Sequence, residues 1–221
     1  LIHAATMVAA GVYLVGRTFP LFTDASLLVV ASVGAVTAVM AGLIALAQND
    51  IKKVLAYSTV SQLGFMFLGL GCKAWHAALF HLTTHAFFKA LLFLASGAVM
   101  HGFAGQLDIR KISGLRNVPG FKIVAWTMLI GCLWLSALPF TAAFFSKDTI
   151  LLVAMTDESH GNRILAWLGL LTALMTAYYT FRVWFRVCGG ETAYQPGDEA
   201  HGHDDHGHDA DHGHGHGHGQ G

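Results

Sequence analysis

His81, His85 and Lys89 recur at intervals of four residues in the stretch 74–107, where Lys89 is the only charged side chain. On a helix turning about 100° per residue, the three fall within an arc of about 80°, stacked one turn apart. Histidine changes charge near neutral pH, and an ammonium can hand a proton to a nearby imidazole directly or through one water. Three such groups in a column suit proton hopping. The plainer reading makes the histidines packed residues satisfied by backbone carbonyls. That reading fits a single histidine better than a column ending in a lysine with no acid in its own helix. A second lysine, Lys147, follows 24 uncharged residues and precedes Asp148. Adjacent helical residues do not share a face, so a permanent pair is not expected. Lys147 is expected to face water in a half-channel, with Asp148 as a modulating charge beside it. His3 lies in a short apolar run, where a core histidine and a relay histidine read alike. Tyr57, Ser58, Thr59, Ser61 and Gln62 give one helix a polar flank, which suits either a water path or close helix packing through small residues.

The elements that must hold these groups follow from composition. The chain has 221 residues, 54% hydrophobic and 12% charged, with mean hydropathy +0.54. A soluble domain carries about 25% charged residues, so a soluble globular enzyme is excluded. Residues 25–49, 54–72, 123–146 and 164–181 contain no Asp, Glu, Lys or Arg. A bilayer core about 30 Å thick takes about 20 apolar helical residues. Spans are predicted at 1–16, 26–47, 54–71, 75–101, 123–155 and 164–188, an all-α integral membrane protein with six transmembrane segments. Membrane β-strands are disfavoured, because the runs lack the ten-residue alternation of a barrel. An ionisable group in hydrocarbon costs about 2.5–3.5 kcal/mol or more, which makes Lys89 and Lys147 functional candidates.

The segment 123–155 cannot be one straight helix, since 33 residues would reach about 50 Å. Pro139 removes a helical donor and clashes with the preceding turn. A discontinuous helix is therefore expected, with Lys147 just past the break, the arrangement that transporters use for ion sites. A simple proline kink is the alternative.

Asp50, Lys52, Lys53, Asp108, Arg110, Lys111, Arg116, Lys122, Arg182 and Arg186 lie at one side of this arrangement and sum to +6, against zero at the other. Positive loops stay cytoplasmic, which places the first set, and the C-terminal segment after it, in the cytoplasm. That segment, 189–221, is acidic and rich in Gly, His and Asp. It cannot build a core and is expected to be a disordered loop. His201, His203, His206 and His208 would bind Zn²⁺ or Ni²⁺ loosely, without the fixed geometry of a dedicated site. Cys72, Cys132 and Cys188 lack the spacing of a cluster or disulfide framework. No GxGxxG or GxxxxGK[ST] pattern marks a nucleotide site, and nothing points to nucleic acid. Leu1 begins inside an apolar run, so the chain reads as part of a longer membrane protein.

Four motifs carry a family resemblance. Leu1-Ile2-His3-Ala4-Ala5-Thr6-Met7, Asp50-Ile51-Lys52-Lys53-Val54-Leu55-Ala56-Tyr57-Ser58-Thr59, the run His81 to Leu94, and Phe144-Phe145-Ser146-Lys147-Asp148 resemble the antiporter-like proton-conducting subunits of respiratory complex I, of the subunit L (chain 5) type. The resemblance covers 1–188. It implies two inverted five-helix repeats, of which residues 1–188 would hold the end of the first and all of the second. Lys89 then corresponds to the central lysine, His81 and His85 to its neighbouring histidines, His3 to the histidine linking half-channels, and Lys147 to the lysine near the outer half-channel. The implied protein is a subunit of NADH:quinone oxidoreductase, a translocase in the bacterial inner membrane. NADH, FMN, iron–sulfur clusters and quinone would be held by partner membrane and peripheral subunits, with no cofactor on this chain. The proton route implied enters from the cytoplasm, passes His3, His81, His85 and Lys89, and leaves through Lys147. The corresponding antiporter-like subunit of a multisubunit Na⁺/H⁺ antiporter, or a membrane subunit of an energy-converting hydrogenase, shares the same motifs. An HxxxH pair with a His-rich loop also fits a zinc transporter, although Lys89 would repel the ion. A purely structural membrane subunit is the remaining alternative.

Overall fold

The computed structural model describes residues 7–156 and 163–194. Its helices are α1 (Ala9–Arg17), α2 (Asp24–Ala47), α3 (Ile51–Gly71), α4 (Trp75–Gly102), α5 (Lys122–Leu135), α6 (Ala142–Thr156) and α7 (Arg163–Cys188). Two-residue strands β1 (Ile112–Ser113) and β2 (Ala193–Tyr194) pair antiparallel. Four helices, α2, α3, α4 and α7, are each long and apolar enough to cross a membrane. The six expected spans are therefore matched singly by only four. At a rise of about 1.5 Å per residue, α5 and α6 reach only about 21–22 Å each, and it takes both to cover a bilayer's thickness.

The boundaries have local causes. Asp50 caps α3, its Oδ1 accepting from the backbone N–H groups of Lys52 (2.8 Å) and Lys53 (3.1 Å), two of the donors a helix start leaves unpaired. Thr23 does the same for α2 by accepting from Ser26 N–H. At the break between α5 and α6, Ala137 (φ 56°) and Phe140 (φ 71°) flank Pro139 in the left-handed region. L-residues there cost about 1–2 kcal/mol each, so packing of the two half-helices must hold the turn.

Helices α2 and α3 meet without side chains between them. A Cβ placed on Gly64 would lie 2.6 Å from both Ala38 N and Gly34 O, and one on Gly34 would lie 2.6 Å from Leu68 N. Ser61 Oγ donates to Ala38 O at 2.8 Å across the same seam. Small residues allow this backbone approach, which van der Waals packing then stabilises. Helix α4 packs behind α3, against α5, α6 and α7, with Phe88, Leu92, Met128, Cys132, Tyr179 and Val183 in the largest buried cluster.

Each end of the bundle is tied by its own polar contacts. Ile51 N–H donates to Leu107 O, and Ile109 N–H to Asn49 O. Arg182 donates from Nη1 to Leu46 O (2.6 Å) and from Nη2 to Ala45 O (3.3 Å) and Gln48 O, covering the C-terminal carbonyls of α2. Within this end, Arg110 donates from Nη2 to Asp108 (2.7 Å) and holds its carboxyl below the usual carboxylate range. At the opposite end Lys73 pairs with Asp24 at 2.6 Å, and Phe19 stacks on Trp75.

Residues 189–194, which composition assigns to a disordered loop, are instead fixed in place. Gly114 N–H donates to Gly189 O (2.9 Å), Ser113 Oγ to Glu191 O (2.7 Å) and Asn117 Nδ2 to Gly190 O (3.2 Å). Gly114 sits at φ 72°, and a Cβ there would meet Thr192 N at 2.6 Å. The docking to the 112–117 turn uses backbone hydrogen bonds, which do not depend on side-chain hydrophobicity. His201, His203, His206 and His208 lie outside the described residues, as does His3.

Candidate functional site

Lys89 is fully buried in α4, and its Nζ donates to Ser58 Oγ at 2.7 Å and to Leu55 O at 3.2 Å, both on α3. Among the described residues no carboxylate pairs with it. Leu55 O also accepts from Thr59 Oγ1 at 3.0 Å, so the carbonyl's partial charge is shared between the helix and the lysine. Hydrogen bonds to carbonyl and hydroxyl oxygens let a buried ammonium persist where an unpaired one would be expelled.

From Ser58 the hydrogen bonds run sideways, away from α4. Tyr179 on α7 donates its hydroxyl to Ser58 Oγ at 2.8 Å and lies 3.4 Å from Thr176 Oγ1. Gln62 on α3 donates from Nε2 to the same Thr176 oxygen at 3.1 Å. The other amide atom, Gln62 Oε1, lies 3.2 Å from His81 Nε2, and His81 Nδ1 lies 2.8 Å from Ser146 Oγ on α6. An amide oxygen only accepts, so Nε2 carries a hydrogen here. With a neutral imidazole Nδ1 then accepts from the Ser146 hydroxyl. Ser146 also has Ala143 O at 3.1 Å as an alternative acceptor. Its hydroxyl can therefore turn to Ala143 when Nδ1 is protonated and donates instead. Ser58, Gln62, His81, Lys89, Ser146, Thr176 and Tyr179 are all buried.

Lys147 departs from the expectation of a water-facing lysine. It is buried, and its Nζ donates to Leu135 O, the last residue of α5, at 2.8 Å. Breaking the helix leaves the terminal carbonyls of α5 without intrahelical donors and concentrates partial negative charge there. The break supplies the site that a buried cation needs. Asp148 is exposed, and among the described residues no ion pair joins it to Lys147.

The histidine column is present, but its members are not bonded to one another. The rings of His81 and His85 are 6.2 Å apart, centre to centre. His85 is buried with Nε2 unpartnered among the described residues. His81, and not Lys89, is the α4 side chain that reaches α6 and the neighbourhood of Lys147. The polar flank of α3 divides between the two uses its sequence allows. Ser58 and Gln62 enter the network, Ser61 ties α3 to α2, and Tyr57 packs on the main cluster.

Sequence reasoning missed Ser146, Thr176 and Tyr179. For α7 the signal was available. Thr172, Thr176 and Tyr179 recur at i, i+4 and i+7 within a charge-free run, on one helix face, and all three are buried. Ser146 gave no sign beyond standing next to Lys147.

The family described as "NADH:quinone oxidoreductase/Mrp antiporter, TM" matches residues 1–176. The NADH-quinone oxidoreductase subunit L of Escherichia coli is 53% identical over 206 residues, covering 92% of this chain and 32% of that protein. The NADH-ubiquinone oxidoreductase chain 5 of Cryptococcus neoformans is 48% identical, covering 92% and 31%. The chain spans about a third of the length of these curated relatives. Among solved structures, the membrane-bound sulfane sulfur reductase, an archaeal respiratory membrane complex, matches at TM-score 0.75 and 28% identity over 89% of this chain and 41% of that one. The Mrp complex of Dietzia sp. matches at TM-score 0.75 and 24% identity over 84% and 35%, a likeness of fold.

Proposed function

The chain belongs to the NADH:quinone oxidoreductase/Mrp antiporter transmembrane family, an integral membrane family, and from that premise we propose that it forms a proton-conducting section of an antiporter-like membrane subunit of NADH:quinone oxidoreductase. In this reading α1 closes a first repeat, and α2, α3, α4, the α5–α6 pair and α7 form a second, inverted one. Electron transfer from NADH through flavin and iron–sulfur clusters to quinone belongs to partner subunits. The membrane is the bacterial inner membrane, and the end carrying residues 46–53, 103–122 and 189–194 faces the cytoplasm.

One observation carries the reading: a buried series of hydrogen-bonded groups extends from Lys89 through Ser58, Tyr179, Thr176, Gln62 and His81 to Ser146. The hydroxyls of Ser58, Tyr179 and Thr176 each accept and donate, so each can take a proton on its oxygen while releasing its own. Lys89 stores a proton at Nζ against Ser58. His81 takes one at Nδ1 as the Ser146 hydroxyl turns to Ala143 O. Lys147, next to Ser146 and seated on the α5 terminus, is the second store of charge. Moving one charge across 100 mV takes about 2.3 kcal/mol, so occupation of Lys89 and Lys147 must be driven by charge changes elsewhere in the complex. His3 and His85 are assigned to the connection with the preceding repeat, and Asp148 to tuning Lys147 from the surface.

The structural likeness to the sulfane sulfur reductase keeps a second reading open, the equivalent subunit of another ion-translocating respiratory complex or of an Mrp-type antiporter. Identity of 53% to the E. coli subunit L favours the first. A zinc path is disfavoured, because both nitrogens of His81 are engaged by Gln62 and Ser146. The test is Lys89→Ala in the full-length subunit within the purified complex, reconstituted in proteoliposomes. The complex should assemble, and protons pumped per NADH oxidised should fall severely. An unchanged ratio overturns the reading.

A further inference from the structure

Six of the seven groups in the buried series can pass a proton, and one cannot. Lysine, the three relay hydroxyls, imidazole and the Ser146 hydroxyl all gain and lose protons at a single atom, or at two atoms of one conjugated ring. The amide of Gln62 has its donors on Nε2 and its acceptor on Oε1. A proton accepted at Oε1 cannot leave from Nε2 without forming the imidic acid, a tautomer far above the amide. Gln62 is the sole link between the two parts of the series. It holds Thr176 Oγ1 at 3.1 Å on one side and His81 Nε2 at 3.2 Å on the other. We infer that Gln62 is a proton insulator, dividing the path into a Lys89–Ser58–Tyr179–Thr176 segment and a His81–Ser146 segment, and that its release of His81 Nε2 is the gate between them.

The hydrogen bonds fix how the gate behaves while closed. Thr176 donates its own hydrogen to Thr172 O at 2.8 Å and receives from Gln62 Nε2. His81 donates from Nε2 to Gln62 Oε1, which leaves Nδ1 as its only site of exchange. A proton arriving through Ser146 makes an imidazolium that can lose it only back through Ser146. Opening requires the amide to turn over or withdraw. If it turns over, Oε1 meets Thr176, whose hydroxyl must leave Thr172 O, and Nε2 meets His81, which must become the Nδ1–H tautomer and donate to Ser146 Oγ. The orientation of one amide is thus tied to the tautomer of one histidine. A pump needs such a break, because an unbroken wire across its membrane would dissipate the gradient it makes.

This inference rests on the proton-conduction reading, and the experiment separates the two. Gln62→Glu and Gln62→Met are made in the full-length subunit of the intact complex, in sealed proteoliposomes. Passive proton conductance is measured without NADH under an imposed pH gradient, and protons pumped per NADH oxidised are measured in parallel. A carboxyl can take a proton on one oxygen and release it from the other, so Gln62→Glu should bridge the segments. It should raise passive conductance at least about tenfold, conservative against the ~10²-fold that one positioned proton-transfer group typically contributes, and it should lower the pumping ratio. Gln62→Met, similar in length and unable to relay, should leave the vesicles tight. Should the carboxyl prevent assembly, Gln62→His supplies another relay group with the same expectation. Vesicles of the relay variant as tight as the parent, or leaks of equal size in the Glu and Met variants, overturn the insulator. Pumping that survives Lys89→Ala overturns the conduction reading itself.

Discussion

Tyr179→Phe separates a proton path from a merely structural polar cluster, because the two predict effects of different size. The substitution removes one oxygen, whose hydroxyl donates to Ser58 Oγ at 2.8 Å and lies 3.4 Å from Thr176 Oγ1. Neither neighbour is stranded. Ser58 keeps the bond from Lys89 Nζ, and Thr176 keeps those to Gln62 Nε2 and Thr172 O. The stability cost is therefore one net hydrogen bond, about 0.5–1.5 kcal/mol. The space vacated is smaller than a water's share of about 30 Å³, so no water restores the link. Transfer between Ser58 and Thr176 loses a positioned group, typically worth about 10²–10⁴-fold. Even the lower figure is about 2.7 kcal/mol of barrier, more than the loss in stability. The expected outcome is a complex recovered in normal amount that oxidises NADH but pumps few protons per NADH in proteoliposomes. A pumping ratio at half the parent value or above would refute the path through Tyr179, and a failure to assemble would refute the estimate of its structural weight.

Two further outcomes follow from the geometry. Lys147→Arg keeps a positive charge at the α5 terminus, but guanidinium does not release its proton in proteins. Pumping should suffer nearly as much as in Lys147→Ala, and a ratio close to the parent's would show that Lys147 serves only as a fixed charge on Leu135 O. Gly64→Ala puts a methyl 2.6 Å from the α2 backbone, where no side chain can yield. Overpacking of this kind costs about 1–3 kcal/mol, and the measurement is a lower melting temperature of the detergent-solubilised complex, with no change predicting instead that the α2–α3 seam is loose.

Membrane class, the positions of the long helices and the break at Pro139 were legible before any coordinates. Each depends on information local to the chain: a run of about 20 apolar residues must become a helix in lipid, and a proline in such a run removes a donor wherever the helix lies. The cost of a charge in hydrocarbon singled out Lys89 and Lys147 for the same reason. What those lysines touch depended on how the helices pack. The i, i+4, i+8 column of α4 invites a path along one helix, yet the side chains of Lys89 and His81 point to different neighbours, Ser58 on α3 and Ser146 on α6. Tyr179 is 121 residues from the serine it bonds, and Gln62 is 114 from Thr176. Lys147 is buried because the end of α5 turns back to meet it, which the expectation of a water-facing lysine missed. Helical periodicity fixes which residues share a face. It carries no information on which face of another helix will lie opposite, and a hydrogen-bonded path through a bundle is made of those cross-helix pairs.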